Sequence, residues 1–252
     1  MMGIYSQTKA NSPASTEEQF RDSIFQVVNS KTNDTLRSKI LRGAFQQYIG
    51  QKAALEYLDS ALVLSKRKRI HEEELYTLFD YCRHYEYRGE ASEMEQYFLK
   101  LKEAAYRYKD YSLYYTIWLS VLQIRSAQGD TEYAIMQAKE MQKEAIRIKY
   151  ESGVFVSLIA LAQALDFAEQ YDEAIANYKQ ALIVNPNANN YSLLLIHQNL
   201  GGIYLAQKKY TEALSELKQQ QEVLNKMLKE DPQAINTLKS IFLEMEVSFG
   251  WV

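Results

Sequence analysis

Residues 155–186, FVSLIALAQALDFAEQYDEAIANYKQALIVNP, decide the fold of this chain. The stretch contains two segments with apolar residues at helical spacing, and Pro186 closes the second. Ala162 and Ala174 fall where two antiparallel helices would cross most closely, because a small side chain lets the backbones approach. The stretch therefore predicts two antiparallel helices joined by a tight turn.

This helical pair recurs along the chain at a nearly constant period. The equivalent positions of the second helices are Ala54, Met94, Ala134, Ala174 and Ala213, which are separated by 40, 40, 40 and 39 residues. Apolar residues fit a first helix before each of these positions. A fixed period of this length is the sequence signature of a repeat architecture.

The repeated unit resembles the tetratricopeptide repeat, whose pattern is W-x2-L-G-x2-Y, then A-x3-F, then P. The fourth and fifth repeats are the closest matches, and the fifth contains NLGGIYLAQKKYTEAL (residues 199–214). The positions that carry the repeat are Ala54, Met94, Trp118, Ala134, Ala162, Ala174, Tyr178, Pro186, Gly201, Tyr204 and Ala213. The first three repeats depart from the pattern, with Arg42, Cys82 and Leu122 in place of the small residue of the first helix.

The resemblance implies an all-α fold, a right-handed α-solenoid of about five helix-turn-helix units with an N-terminal and a C-terminal flanking helix. The predicted units cover residues 35–70, 71–110, 111–150, 151–190 and 191–231, within a solenoid that spans residues 16–252. Residues 1–15 are polar and are interpreted as a disordered lead-in or a cloning remnant. A last helix over residues 232–249 looks like the first half of a sixth unit.

Glycines and acidic residues mark the predicted turns. Gly50, Gly89 and Gly129 each fall between a first and a second helix, where glycine ends a helix at little steric cost. Asp34 and Asp130 are predicted to be the N-caps of the helices that follow them.

The last predicted helix and its tail carry more apolar residues than one buried face needs. These residues are Ile241, Phe242, Met245, Val247, Phe249 and Trp251. Either this helix caps the array and its tail folds back over the end, or the chain is a piece of a longer protein whose missing part covers these residues. A homodimer through the last helix is compatible with both interpretations.

Charge and hydropathy argue against several classes of partner. The 29 basic and 32 acidic residues give a net charge of −3, so no polyanion, and hence no nucleic acid, is implied. The basic run over residues 66–69 is better explained as the end of a second helix, where the helix dipole favours cations. No run of about 18 apolar residues occurs, so no membrane span is predicted.

The residues that could carry chemistry are scattered. His71, His84 and His197 lie in different repeats, and neither an HExxH motif nor a paired Cys/His spacing occurs. The single cysteine, Cys82, is interpreted as a buried, inert thiol. The sequence therefore predicts no catalytic residue, no metal site, no cofactor and no enzymatic activity.

In the tetratricopeptide family, the first helices of successive units line a concave groove that binds an extended or helical segment of a partner. The resemblance therefore implies a protein or peptide ligand. By position, the groove-facing candidates are Lys39, Gln46, Gln47, Tyr76, Arg83, Glu86, Tyr87, Gln123, Ser126, Gln163, Asp166 and Gln198. Glutamine recurs in four of the five units. Its amide can pair with the backbone of a bound peptide, or it is simply a good exposed helix former.

Units of this length are typical of bacterial regulatory arrays, among them quorum-sensing peptide receptors and the sensor regions of two-component regulators. About the first seventy residues are also loosely similar to the start of periplasmic repeat regions of sensor kinases. The resemblance thus implies the sensor or interaction region of a bacterial signalling protein, periplasmic as part of a larger membrane-anchored protein. The alternative is a stand-alone cytoplasmic adaptor or assembly scaffold.

Overall fold

The computed structural model describes residues 16–185 and 188–230. Within these residues the chain is all-α, with eleven helices and no strand, which confirms the predicted fold class. The helices are α1 (Thr16–Ser30), α2 (Asp34–Gln47), α3 (Ala54–Lys68), α4 (His71–Arg88), α5 (Ala91–Tyr108), α6 (Ser112–Ala127), α7 (Thr131–Arg147), α8 (Glu151–Phe167), α9 (Tyr171–Val184), α10 (Asn190–Ala206) and α11 (Tyr210–Glu230). The predicted lead-in over residues 1–15, the closing Pro186 and the predicted last helix over residues 232–249 lie outside the described residues.

The described helices form two compact bodies, and the boundary between them, after residue 104, falls inside α5. In the N-terminal body, α1 packs on α2, α2 packs on α3, and α4 contacts both α2 and α3. Phe45, Leu58 and Tyr81 are buried where these helices meet. Tyr97 of α5 stacks on Tyr81, with the two ring centroids 4.0 Å apart. The first helical pair and the helices that follow it therefore share one core.

In the C-terminal body, α8 is the central helix. It contacts α6, α7, α9 and α10, and every residue from 157 to 165 is buried. A helix that is apolar on all sides can be stable only where other helices cover it all round. Gly153 of α8 permits this packing, because a Cβ at that position would lie 2.5 Å from Tyr150 Cδ1 and 2.8 Å from Tyr115 Cε1.

Short turns across a left-handed residue join most of the helices. Two series of such residues recur at intervals of 39 or 40 residues, with φ between 54° and 90°. They are Gly50, Gly89, Gly129, Glu169 and Lys208 after first helices, and Arg69, Lys109 and Lys149 after second helices. In the turn after α4, the next residue, Glu90, donates its N–H to the carbonyl of Tyr85 at 2.9 Å. The same bond closes the turn after α8, from Gln170 to Leu165 at 2.8 Å.

Two details of the predicted helix starts need correction. Asn33, rather than Asp34, is the N-cap of α2, and its Oδ1 accepts a hydrogen bond from Leu36 N at 2.9 Å. Asp34 is instead the first residue of the helix. Asp130 does occupy the N-cap position of α7, but its side chain makes no capping hydrogen bond. The predicted turn positions of Gly50, Gly89 and Gly129 are confirmed.

We expect opposite effects from exchanging glycine and a side chain at equivalent turns. Gly129→Ala should lower the free energy of unfolding by about 1 kcal/mol, because a left-handed backbone disfavours a Cβ. The new Cβ would meet no atom within 4 Å, so the loss of stability would come from strain in the backbone alone. Lys208→Gly should raise stability by about the same amount. Urea unfolding followed by circular dichroism measures both changes, and shifts of equal sign would contradict this explanation.

Candidate binding surface

The N-terminal body brings together the predicted groove residues of the first two repeats. Lys39, Gln46 and Gln47 lie on α2, and Tyr76, Arg83, Glu86 and Tyr87 lie on α4. Helices α2 and α4 are in contact, so these side chains lie on two neighbouring first helices.

A buried ion cluster lies beneath this surface. Arg42 of α2 donates from Nε to Asp80 Oδ2 at 2.5 Å, and its Nη1 lies 3.5 Å from Glu73 Oε2. Gln46 Nε2 donates to the other oxygen of Asp80 at 3.1 Å. The Tyr76 ring covers the guanidinium, with 4.6 Å between Arg42 Cζ and the ring centroid. Polar side chains of α4 thus hold Arg42 and Gln46 of α2 in fixed positions.

The electrostatics of the cluster are dominated by desolvation. Burial raises the pKa of Asp80, the Arg42 guanidinium opposes this shift, and the neighbouring Glu73 carboxylate adds to it. Glu73 is fully buried, and its Oε1 has no hydrogen-bond partner within the described chain. The Arg42 guanidinium is therefore shared by two buried carboxylates that depend on it.

Tyr87 is exposed, yet its ring is held in place by the turn after α2. A Cβ at Gly50 would lie 2.4 Å from Tyr87 Cδ1, so the ring sits directly against the glycine. Gly50 N also donates to His84 Nδ1 at 3.3 Å, and Arg88 Nη1 donates to the Gly50 carbonyl at 2.8 Å. The end of α4 therefore fixes this turn and presents Tyr87, which is 65% exposed, in a defined position.

We call the surface formed by Gln46, Tyr76, Arg83, Glu86 and Tyr87 the α2–α4 face. Arg83 and Glu86 form an ion pair on it, with Arg83 Nη1 2.8 Å from Glu86 Oε2. Tyr76 is 37% exposed. The face therefore combines two exposed aromatic rings with charges of both signs and the Gln46 amide.

In the C-terminal body, some of the predicted groove residues are bonded to each other or buried. Gln123 of α6 donates from Nε2 to Gln163 Oε1 of α8 at 2.9 Å, which joins equivalent residues of successive repeats. Gln163 and Ser126 are both buried. The prediction that these two residues contact a ligand directly needs correction, because the close packing of α6 and α8 leaves them little exposed surface.

Asp166 and Gln198 remain partly or fully exposed in the C-terminal body. Burial raises the pKa of Asp166 to about 6. Its carboxyl therefore changes charge close to neutral pH.

The positions that carry the repeat pattern lie in the interior. All of those within the described residues are buried: Ala54, Met94, Trp118, Ala134, Ala162, Ala174, Tyr178, Gly201, Tyr204 and Ala213. Gly201 shows how closely the helices approach, since a Cβ there would lie 3.7 Å from Glu216 Cβ of α11.

The remaining reactive side chains are placed apart from one another. Cys82 is fully buried, and burial raises the pKa of its thiol. His197 Nδ1 lies 2.7 Å from Glu216 Oε2 in the C-terminal body. Across residues 16–185 and 188–230, no group of three or more His, Cys, Asp or Glu side chains is arranged to hold a metal ion.

A shallow depression of about 340 Å³ lies beside the turn between α8 and α9, and no sequence pattern pointed to it. Its lining residues are Glu169, Gln170, Tyr171, Asp172, Glu173 and Gln207. The three carboxylates make it unfavourable for an anionic ligand. No described helix is both long enough and apolar enough to cross a membrane.

Comparison with protein-family models and with curated proteins found no match to this chain.

Replacing Arg42 tests the buried ion cluster. Arg42→Met should lower the free energy of unfolding by about 3 kcal/mol at neutral pH, because Asp80 and Glu73 would remain buried without their cation. The loss should shrink in acid, where Asp80, whose pKa burial raises, takes up a proton. Lys143→Met is the matched control, since the Lys143–Glu140 pair is exposed and should contribute less than about 1 kcal/mol. Equal losses in the two variants, measured by urea unfolding, would contradict this role.

Asp166 should make stability depend on pH. Its folded-state pKa of about 6 lies above the unfolded value of about 3.9, so the folded state binds the proton more tightly. Between these two values, stability should fall as the pH rises. Asp166→Asn should therefore be more stable than the wild type at pH 7, and this advantage should vanish near pH 4. Thermal unfolding across this range measures the difference, and a constant offset would exclude the proposed cause.

Proposed function

We propose that this chain is a non-catalytic domain that binds a protein or peptide through the α2–α4 face. The observation that carries the proposal is the pair of exposed tyrosines on α4, Tyr76 and Tyr87, which are both held in place from below. Tyr76 lies over the Arg42 guanidinium, and Tyr87 lies against Gly50. Rigid aromatic side chains lose little entropy on binding and are typical anchors of interfaces.

The polar residues of the face indicate the chemistry of the ligand. Arg83 and Glu86 provide both charges, and they already form an ion pair with each other. A strongly anionic or cationic ligand would therefore gain little here. A segment with apolar or aromatic side chains fits the two tyrosines better, and it would leave its backbone free for the Gln46 amide.

The proposal for the cellular role rests on the length of the repeat. Its resemblance to lengthened bacterial arrays supports the sensor or interaction region of a bacterial signalling protein, periplasmic as part of a membrane-anchored protein. The alternative role is a stand-alone cytoplasmic adaptor or assembly scaffold. Reading the gene on both sides of this sequence separates the two, because a signal peptide upstream and an apolar span downstream support the sensor.

A displayed library of random peptides, selected on the whole chain, provides ligands for the test. For the selected peptides, Tyr76→Ala and Tyr87→Ala should each weaken binding by about ten-fold or more, because truncating an aromatic anchor removes about 2 kcal/mol. Fluorescence anisotropy of labelled peptides measures the dissociation constants.

Tyr133→Ala on α7 is the matched control, since Tyr133 and Tyr76 are both 37% exposed. This variant should bind the peptides like the wild type. Circular dichroism checks that all three variants keep their helicity. Peptides that lose affinity in the Tyr133 variant, but not in the Tyr76 and Tyr87 variants, would move the site to another surface.

A further inference from the structure

His84 of α4 is a buried titratable side chain whose ring is bonded to the turn after α2. It is 1% exposed, and its Nδ1 accepts a hydrogen bond from Gly50 N at 3.3 Å. A backbone N–H can only donate, so Nδ1 carries no proton and the neutral ring carries its proton on Nε2. Nε2 is buried and has no hydrogen-bond partner within the described chain. The ring is therefore held in one tautomer and in its uncharged form.

This bond takes the place of a backbone hydrogen bond in the equivalent turn of the next repeat. In the turn after α4, the left-handed Gly89 donates its N–H to the carbonyl of Glu86 at 3.0 Å. Gly50 is left-handed as well, but its N–H donates to the side chain of His84 instead. The connection between α2 and α3 thus depends on a side chain that can titrate.

The position of His84 in the repeat requires only an apolar side chain. Its equivalents in the next three repeats are Ile124, Ala164 and Ile203. Ala164 and Ile203 are buried, as His84 is. Packing alone therefore does not explain a histidine here. What distinguishes this residue is the ring nitrogen that accepts from Gly50.

The surroundings of the ring oppose its protonation. Burial lowers the pKa of His84, Arg88 on the same helix lowers it further, and Glu90 after the helix acts in the opposite direction. Phe45 of α2 and Tyr85 of α4 pack against the ring, with centroids 6.0 and 5.1 Å away. Burial raises the pKa of Tyr85, so its phenol brings no charge at neutral pH. A proton on Nδ1 would also face the donating N–H of Gly50.

The turn that His84 holds also supports Tyr87 of the α2–α4 face. The Tyr87 ring sits directly against Gly50, and Arg88 Nη1 donates to the Gly50 carbonyl at 2.8 Å. Without the bond to His84, the turn would lose one of its two hydrogen bonds to the end of α4. The Tyr87 ring would then lose the surface on which it packs.

We propose that His84 is a pH-sensitive switch for the turn over residues 48–53. In its neutral form the ring accepts from Gly50 N and holds the turn against α4. In acid the ring takes up a proton, Nδ1 becomes a donor, and the turn separates from α4 and no longer supports Tyr87. The consequence for binding rests on the proposed function: the affinity of the α2–α4 face for its ligand falls in acid.

Amide hydrogen exchange of the whole chain, measured by NMR, tests the switch without any ligand. When the turn is open, the ring has the ordinary histidine pKa of about 6.5, and when the turn is closed the ring takes up protons poorly. The open fraction should therefore rise about ten-fold between about pH 7.5 and about pH 5.5. The protection factors of amides in residues 48–53, corrected for the intrinsic pH dependence of exchange, should fall by the same factor.

Two variants show whether His84 causes this change. His84→Asn keeps an acceptor, because its Oδ1 can take the place of Nδ1, but it does not titrate, so its protection factors should stay constant. His71→Asn is the matched control, since His71 is exposed on the same helix, and it should retain the ten-fold change. Circular dichroism checks that both variants keep their helicity. The same pH dependence in the wild type and in His84→Asn would overturn the proposal.

The nitrogen chemical shifts of the His84 ring in the wild type provide a measurement that needs no variant to fold. At neutral pH they should show the neutral tautomer with the proton on Nε2. A neutral ring with its proton on Nδ1, or a charged ring, would also overturn the proposal.

A histidine-free peptide selected on the chain at neutral pH separates this proposal from the proposed function. Its affinity should fall in acid for the wild type, by up to about ten-fold, and should stay constant for His84→Asn. If Tyr87→Ala weakens binding at neutral pH but the wild type and His84→Asn respond alike to acid, the switch is wrong and the proposed function stands. If exchange shows the switch but Tyr76→Ala and Tyr87→Ala bind normally, the proposed function is wrong and the switch stands.

Discussion

The tight turn across a left-handed residue is the constraint on which the rest of this structure depends. In seven of these eight turns, the residue after the left-handed position donates its N–H to the carbonyl five residues earlier. Such a short connection forces neighbouring helices to run antiparallel and in contact, because the chain has no length to place them elsewhere. Two connections are longer: residues 48–53 contain the left-handed Gly50 without this bond, and after α9 the Asn189 side chain caps α10 by accepting from Ser192 N at 3.0 Å.

The Arg42 cluster shows how one departure from the repeat pattern is accommodated. Arg42 stands where the fourth and fifth repeats have Ala162 and Gly201, so a long side chain occupies a position that otherwise permits close helix contact. Its guanidinium reaches Asp80 and Glu73 on α4, so α2 and α4 each contribute charged side chains to the interface between them. A buried arginine without these carboxylates would be strongly unfavourable. The same ion cluster lies beneath the exposed Tyr76, so the packing of the interior also orients the α2–α4 face.

The sequence predicted those features that a local pattern of residues determines. It did not predict the features that depend on contacts between helices. Helical spacing predicted the all-α class, and glycine predicted three left-handed turns. Glu169 and Lys208 adopt the same turn without a glycine, because the closing hydrogen bond and the packing of both helices offset the backbone strain. Ser126 and Gln163 were assigned to an exposed groove, but helical phase does not reveal how closely α6 and α8 approach. The departure at Arg42 was visible in the sequence, although its carboxylate partners were not.

The sequence by itself determined the helical class, the period of the repeats and the positions of most turns, since these depend on spacing and on single residues such as Gly89. The tertiary structure alone decided which side chains face each other and which reach solvent. It placed Arg42 between Asp80 and Glu73, paired Gln123 with Gln163, and held Tyr87 against Gly50. The physical reason is that burial and pairing depend on the distance between helices far apart in the chain, which no pattern within one helix contains.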